Sequence, residues 1–134
     1  MVATKAVKKT NTNHTKLASR AFMSLDDRYK LFVSKVPQLR VMLTLYPAEK
    51  SSRALGIVPG WMYPCVVNKS EAPEASDGAP ILNDAPMQLG ETREVDCLFP
   101  LAGKNAIPLV AGAAKIYLWE GGYIGEARIL KIYD

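Results

Sequence analysis

Residues 117–130 read YLWEGGYIGEARIL, and this stretch decides the fold. Two apolar, strand-like runs flank Gly121 and Gly122. Glycine at both central positions supplies the positive φ angles that a tight hairpin turn needs. The stretch therefore predicts two antiparallel strands joined at the glycine pair.

Alternation of apolar and polar residues predicts further strands upstream of the hairpin. Residues 39–46 and 92–101 alternate with a period of two, which is typical of strands with one buried face. Residues 57–67 also resemble a strand, but Pro59 and Pro64 place it at an edge or at bulges because proline cannot donate to a ladder. The inward residues expected from the alternation are Leu39, Val41, Leu43, Leu45, Val95, Cys97, Phe99 and Leu101.

The rest of the chain completes an all-β pattern. A short apolar piece at 106–110 and strands at 115–119 and 123–133 bring the expected number of strands to about six. Residues 68–90 are rich in proline and acidic residues and are expected to form a long loop. Many short strands joined by Gly and Pro turns indicate a barrel or a sandwich.

One helix is expected before the first strand, at residues 24–36. Ser24 can cap its N-terminus and Asp27 can complete a capping box, while Pro37 ends the helix. Apolar residues recur at spacings of three and four and predict one buried stripe. The stripe consists of Leu25, Tyr29, Phe32, Val33 and Val36.

Length and composition indicate one soluble domain. The chain has 134 residues, of which 49% are hydrophobic and 22% charged, as in ordinary globular proteins. It contains neither the ~20-residue apolar run of a membrane helix nor the apolar stretch of a secretory signal. We expect no membrane association and a cytoplasmic location. The predicted organisation is a basic N-terminal arm at 1–23, the helix at 24–36 and a β-barrel domain at 38–134.

Positive charge is concentrated in the arm. Residues 1–40 hold nine Lys and Arg against two Asp, whereas residues 41–134 hold eight against eleven acidic residues. Such a segment buries little apolar surface and can gain order on a polyanion or an acidic partner. The candidate polyanion-binding residues are Lys5, Lys8, Lys9, Lys16 and Arg20.

Catalytic motifs are absent from the sequence. It has no phosphate-binding loop and none of the nucleophile or zinc-protease patterns. The only histidine, His14, lies in the polar arm, and Cys65 and Cys97 lack metal-ligand spacing. We predict that both cysteines are reduced core thiols, that no metal or cofactor is bound and that the protein is not an enzyme.

Three segments together resemble a known domain. They are GIVPGWMYPCVV (56–67), LGETREVDCLFPL (89–101) and AGAAKIYLWEGGYIGEARIL (111–130). In this order they resemble the third domain of elongation factor Tu, over roughly residues 39–133. The chain looks more like the short free-standing bacterial proteins that consist of this one domain. The resemblance implies a six-stranded antiparallel barrel of the translation-factor type.

The resemblance also implies what the hairpin serves. In the elongation factor this barrel grips the T-stem of aminoacyl-tRNA and packs on the GTPase domain and on an exchange factor. Glu120 and Gly121 match the family's R-E-G-G turn, but Trp119 and Tyr123 replace the arginines on either side of it, and Gly60 replaces a glutamine. These losses remove cations that RNA binding requires. Tryptophan and tyrosine are residue types that anchor protein interfaces.

The leading prediction is therefore a non-catalytic macromolecule-binding module with a protein partner, such as a translation-factor mimic or an immunity-type protein. One alternative is an RNA or tRNA binder that uses the basic arm. Another is a structural subunit of a larger assembly, such as a phage particle, which would place the protein in a virion or in a homo-oligomer. Trp119 or Tyr123 could instead pack into the protein itself, and Glu126 and Arg128 could form a solvated pair. The candidate partner-binding residues are Trp119, Glu120, Gly121, Tyr123, Trp61 and Arg128.

Overall fold

A computed structural model describes residues 23–67, 75–83 and 85–133. Six antiparallel strands close into a barrel in the order β1-β4-β3-β2-β5-β6, which confirms the predicted fold class. The strands are β1 Leu39–Leu45, β2 Tyr63–Val66, β3 Ala75–Ile81, β4 Thr92–Leu98, β5 Lys115–Trp119 and β6 Tyr123–Ile132. Within these residues the helices are α1 Leu25–Val33 and the single turn α2 Ile107–Val110, with 3-10 turns at Ala48–Lys50 and Gly103–Ala106.

The arm residues proposed to bind polyanions lie outside the described residues, so their prediction has no structural outcome. They are Lys5, Lys8, Lys9, Lys16 and Arg20. Within the described part of the chain, no helix has the length and apolar character needed to span a bilayer.

Strand β1 is central to the core. Its alternate residues are buried and at most 1% exposed, as predicted. It pairs with β4 on one side and with β6 on the other, and its pairing with β6 closes the barrel. The inward residues of β1 are Leu39, Val41, Leu43 and Leu45.

Part of the segment predicted as a long loop is a strand. Residues Ala75–Ile81 form β3, which lies between β2 and β4 in the barrel. The prediction failed because this segment has weak strand propensity. Gly78 is required inside the barrel, since a Cβ there would lie 2.6 Å from the sulfur of Cys65 and 3.5 Å from that of Cys97.

The apolar piece at 106–110 is helical and not the sixth strand. It ends the 3-10 turn and forms α2, with Ala106 and Val110 buried. The predicted number of strands is therefore correct, but β3 takes the place of this piece. Strand β4 also ends earlier than expected, at Leu98. Leu101 is 58% exposed and not inward, because the N–H of Gly103 turns back to the carbonyl of Phe99.

The strand predicted at 57–67 is reduced to Tyr63–Val66. Ile57 makes only an isolated bridge to Met87. Gly60 has a φ of +96°, and the N–H of Trp61 donates to the carbonyl of Val58, so a turn interrupts the extended chain.

Helix α1 begins as predicted but ends three residues early. The N–H of Asp27 donates to the Ser24 hydroxyl oxygen at 3.0 Å, which is the expected cap. At the other end the hydroxyl of Ser34 donates to the carbonyl of Leu31 at 2.6 Å, and the N–H of Lys35 donates to the carbonyl of Phe32. These short-range bonds tighten the last turn and end the helix before Pro37.

The predicted apolar stripe of α1 is only half buried. Tyr29 and Phe32 are buried, and Phe32 packs on Ala79 and Leu98 on the outside of the barrel. The other three stripe residues are exposed because the helix covers only one narrow part of the barrel wall. They are Leu25, Val33 and Val36.

Both cysteines are buried free thiols, as predicted. Burial raises the pKa of Cys97 to about 12. Burial, and to a lesser extent the nearby Cys97, raises the pKa of Cys65 well above its ordinary value. Because the thiolate is the reactive form, these thiols act as core packing.

Candidate functional site

The predicted hairpin joins β5 to β6. Trp119 pairs with Tyr123, which leaves the three residues 120–122 in the loop. Gly121 has a φ of +68°, and the N–H of Glu120 donates to the carbonyl of Gly122 at 2.8 Å. The register shifts between Leu118 and Trp119. Three-residue loops of this kind commonly carry such a bulge.

Two residues of the neighbouring loop hold the hairpin. The hydroxyl of Ser52 donates to the carbonyl of Glu120 at 3.0 Å. The backbone N–H of Ser52 donates to the carbonyl of Tyr123 at 3.4 Å. A guanidinium N–H of Arg53 donates to the Glu120 carboxylate and forms an ion pair. Gly122 lets the loop approach, because a Cβ there would lie 2.7 Å from that of Ser52.

Arg53 connects the hairpin to Trp61. Its Nε donates to the carbonyls of Leu55 and Gly56 at 2.9 and 3.1 Å, and its guanidinium carbon lies 4.3 Å from the centre of a Trp61 ring. The side chain is only 15% exposed. Arg53 is therefore fixed from three sides and can hold Glu120 in one place.

An aromatic cluster surrounds the exposed tryptophan. The rings of Trp119 and Tyr123 meet edge to face at 5.0 Å, and those of Tyr117 and Tyr123 at 6.1 Å. Tyr123 is half-buried and its hydroxyl oxygen is inaccessible. Trp119 is 38% exposed. Tyr123 therefore packs into the protein, while Trp119 rests on it and faces solvent.

Glu126 anchors the next part of the same outer face. The Tyr46 hydroxyl donates to its carboxylate at 3.0 Å, and the Lys115 ammonium lies 2.8 Å from it. Burial and this carboxylate raise the pKa of Tyr46. The structure thus pairs Glu126 with Lys115 and Tyr46, whereas a solvated pair of Glu126 with Arg128 was one alternative left open by the sequence. Arg128 is exposed.

Tyr63 lies beneath the hairpin end of the barrel. It is 1% exposed and stacks on Trp61 with ring centres 5.6 Å apart. Within the described residues its hydroxyl has no hydrogen-bond partner. Burial raises the pKa of Tyr63 above its ordinary value of 10.0, because an ionised phenolate would be still less well solvated.

We expect Tyr63→Phe to raise the free energy of unfolding at pH 7 by about 1 kcal/mol, because it removes a buried unpaired hydroxyl. The pKa of Tyr63 is raised on folding, so its pH-dependent contribution is fully present below pH 10.0 and lost as the pH rises further. The variant should therefore lose less stability than the wild type above pH 10. Urea unfolding at pH 7 and pH 10.5 measures both effects, and a less stable variant at pH 7 would contradict the assignment.

The structure brings most of the predicted site residues to one end of the barrel. Trp119, Glu120, Gly121 and Tyr123 form the hairpin end, and Trp61 joins them through Arg53. Arg128 lies farther along β6. Five supporting residues were not predicted, because their contacts with the hairpin depend on how the folded barrel brings separate segments together. These additional residues are Tyr46, Ser52, Arg53, Lys115 and Tyr117.

The described surface also carries a cavity away from the hairpin tip. A cavity of about 470 Å³ lies beside the start of β5, lined by Val67, residues 111–114, Lys115 and Tyr117. Its wall consists mainly of backbone and small side chains. Among the residues that the structure describes, no group of three or more His, Cys, Asp or Glu could hold a metal ion.

Comparison of the chain with protein-family models, with curated proteins and with solved structures found no match. The resemblance to elongation factor Tu thus stays a prediction.

Proposed function

We propose that the protein is a non-catalytic binding module that docks a protein partner through the hairpin end of β5 and β6. The observation that carries the proposal is the exposed indole of Trp119. It stands on Tyr123 at the end of a hairpin that Ser52 and Arg53 hold in place. We call the surface formed by Tyr117, Trp119 and Tyr123 the aromatic end.

Preorganisation supports this function. A partner that binds a fixed tryptophan does not have to order the loop, so less free energy is lost on association. A few buried anchor residues carry most of the binding energy at protein interfaces, and tryptophan and tyrosine are among the residue types enriched there. Five groups outside the hairpin strands immobilise its tip: the Ser52 hydroxyl and N–H, the Arg53 guanidinium, and the two carbonyls that hold Arg53.

The test begins with capture of partners from source-cell lysate at near-physiological salt, with and without nuclease. We expect a stoichiometric protein that survives nuclease. Trp119→Ala should weaken the affinity of the purified partner at least about tenfold, as expected for an anchor residue. Isothermal titration calorimetry measures the change.

Leu101→Ala is the matched control. Leu101 is also an exposed apolar residue, but it follows β4 at the opposite end of the barrel from the hairpin. It should leave the affinity unchanged, and both variants should unfold cooperatively near the wild-type midpoint. Equal affinity of Trp119→Ala and wild type would contradict the proposal. Recovery of RNA alone would favour the alternative in which the arm binds nucleic acid.

The translation-factor mimic, the immunity-type role, the RNA-binding arm and the subunit of a larger assembly stay predictions from the sequence. The basic arm lies outside the described residues. The geometry of the described residues bears on where a partner binds, and for that it favours the hairpin end.

A further inference from the structure

The outer face of β5, β6 and β1 carries two pairs of like charges, which follow one another along β6 from the aromatic end towards the opposite end of the barrel. Lys115 lies directly opposite Arg128, and Arg40 lies directly opposite Lys131. Like charges in directly opposed positions destabilise a sheet. Two such pairs on one face therefore need compensating negative charge.

The chain compensates only one member of each pair. Arg40 contacts Glu94 at 2.9 Å and Asp96 at 3.2 Å. Lys115 contacts Glu126 at 2.8 Å. These three carboxylates neutralise Arg40 and Lys115, and the other two cations are left without a carboxylate partner.

Arg128 and Lys131 are the remaining cations. Both are exposed, and within residues 23–67, 75–83 and 85–133 neither has a carboxylate within ion-pair distance. Lys131 has one internal contact, in which its ammonium nitrogen lies 5.5 Å from the centre of the Tyr133 ring, and this contact leaves its charge unneutralised. The register of β6 shifts between them, and Leu130, which is 41% exposed, lies in the shifted segment. The face thus presents two cations around an exposed apolar side chain.

We propose that the partner docked at the aromatic end also presents an acidic segment to Arg128 and Lys131, with an apolar side chain against Leu130. This inference rests on the proposed function and adds the chemistry of the partner. At about 3.3 Å per residue, β6 places Arg128 roughly 17 Å and Lys131 roughly 26 Å from Tyr123, a span that one standard protein interface covers. Charge complementarity across that span would orient the partner and speed its encounter.

Carboxylates of a protein fit this face better than the phosphates of a nucleic acid. The face holds four cations, and three carboxylates lie on it or next to it: Glu126 on β6 between the aromatic end and Arg128, and Glu94 and Asp96 on β4 beside Arg40. A phosphate chain that followed β6 from the aromatic end would pass the Glu126 carboxylate before it reached Arg128. A local acidic segment needs only the two uncompensated cations.

The test uses the full-length chain with photo-crosslinking benzoylphenylalanine at position 121 or 130. Position 121 is at the exposed tip of the hairpin with open space around it, so Trp119 is kept. We expect both positions to crosslink the same protein, and position 130 to crosslink a segment with at least two Asp or Glu. Arg128→Glu/Lys131→Glu should lower the yield at both positions about tenfold, since charge reversal replaces attraction by repulsion. Arg128→Lys/Lys131→Arg, which keeps both charges, should change the yield less than twofold.

The outcomes separate this inference from the proposed function. Crosslinking at position 121 without crosslinking at 130, or crosslinking at 130 to a neutral or basic segment or to RNA, would overturn the acidic partner and leave the aromatic end intact. Loss of crosslinking at both positions would overturn the proposed function and the inference together.

Discussion

Gly60→Ala should lower the free energy of unfolding by about 4 kcal/mol, the sum of left-handed backbone strain and a steric clash. Gly60 has a φ of +96°, and an added Cβ would overlap the carbonyl oxygen of Leu25 and lie 3.0 Å from its carbon. Neither neighbour is the end of a flexible side chain, so α1 itself must move. Movement would break the 3.0 Å bond from Arg28 Nε to the carbonyl of Gly60 and expose the apolar contact of Phe32.

Gly90→Ala separates the two contributions. Gly90 has a similar φ of +85°, but a Cβ there would meet nothing within 4 Å. It should therefore cost only the backbone strain, about 1 kcal/mol. Urea unfolding measures both variants, and hydrogen exchange should show faster exchange of 25–33 in Gly60→Ala alone. Equal costs for the two variants would mean that α1 does not rest on Gly60.

Gly125→Ala should lower the free energy of unfolding by about 3 kcal/mol through overpacking at the closure of the barrel. Its φ is ordinary, so strain of the backbone is not the cause. An added Cβ would lie 2.5 Å from the carbonyl oxygen of Thr44 and 3.3 Å from the Cα of Leu45. Strands β1 and β6 would have to separate beside the hairpin, and their pairing is what closes the barrel.

Gly121→Asn is the control in the same hairpin. Gly121 also has a positive φ of +68°, but the surrounding space is open. Asparagine adopts this conformation readily, so the change should cost less than about 1 kcal/mol. Denaturant unfolding compares the variants. A Gly125→Ala protein as stable as Gly121→Asn would contradict the close approach of the two strands.

Periodicity was sufficient to predict the strands with one buried face. The alternation placed β1 and β4, although β4 ends three residues early, and the apolar runs around the glycine pair placed β5, β6 and the hairpin. Periodicity failed where the intrinsic propensity of a segment differs from the structure that the segment adopts in the barrel. Strand β3 contains Gly78 and Pro80, both poor strand formers, yet the small Gly78 is needed beside Cys65 and Cys97. Residues 106–110 have strand-like composition but adopt a helical turn that contributes Ala106 and Val110 to the core.

The candidate site was predicted in part. Trp119, Glu120, Gly121 and Tyr123 were found from their positions around the turn, because a hairpin brings its own residues together. Arg53 could not be found in this way. It reaches Glu120 across 67 positions of sequence through a loop with no periodic pattern. The unpaired charge of Arg128 also depends on cross-strand register, which the sequence does not specify.

The two tryptophans of the chain offer the most direct test of the proposed partner surface. In a ¹H–¹⁵N spectrum their indole N–H groups give two signals, which Trp119→Phe assigns. On addition of the purified partner, the Trp119 signal should shift or broaden strongly, while that of the half-buried Trp61 should change much less. An unchanged Trp119 signal at saturating partner would contradict the account, because binding would then occur on another surface.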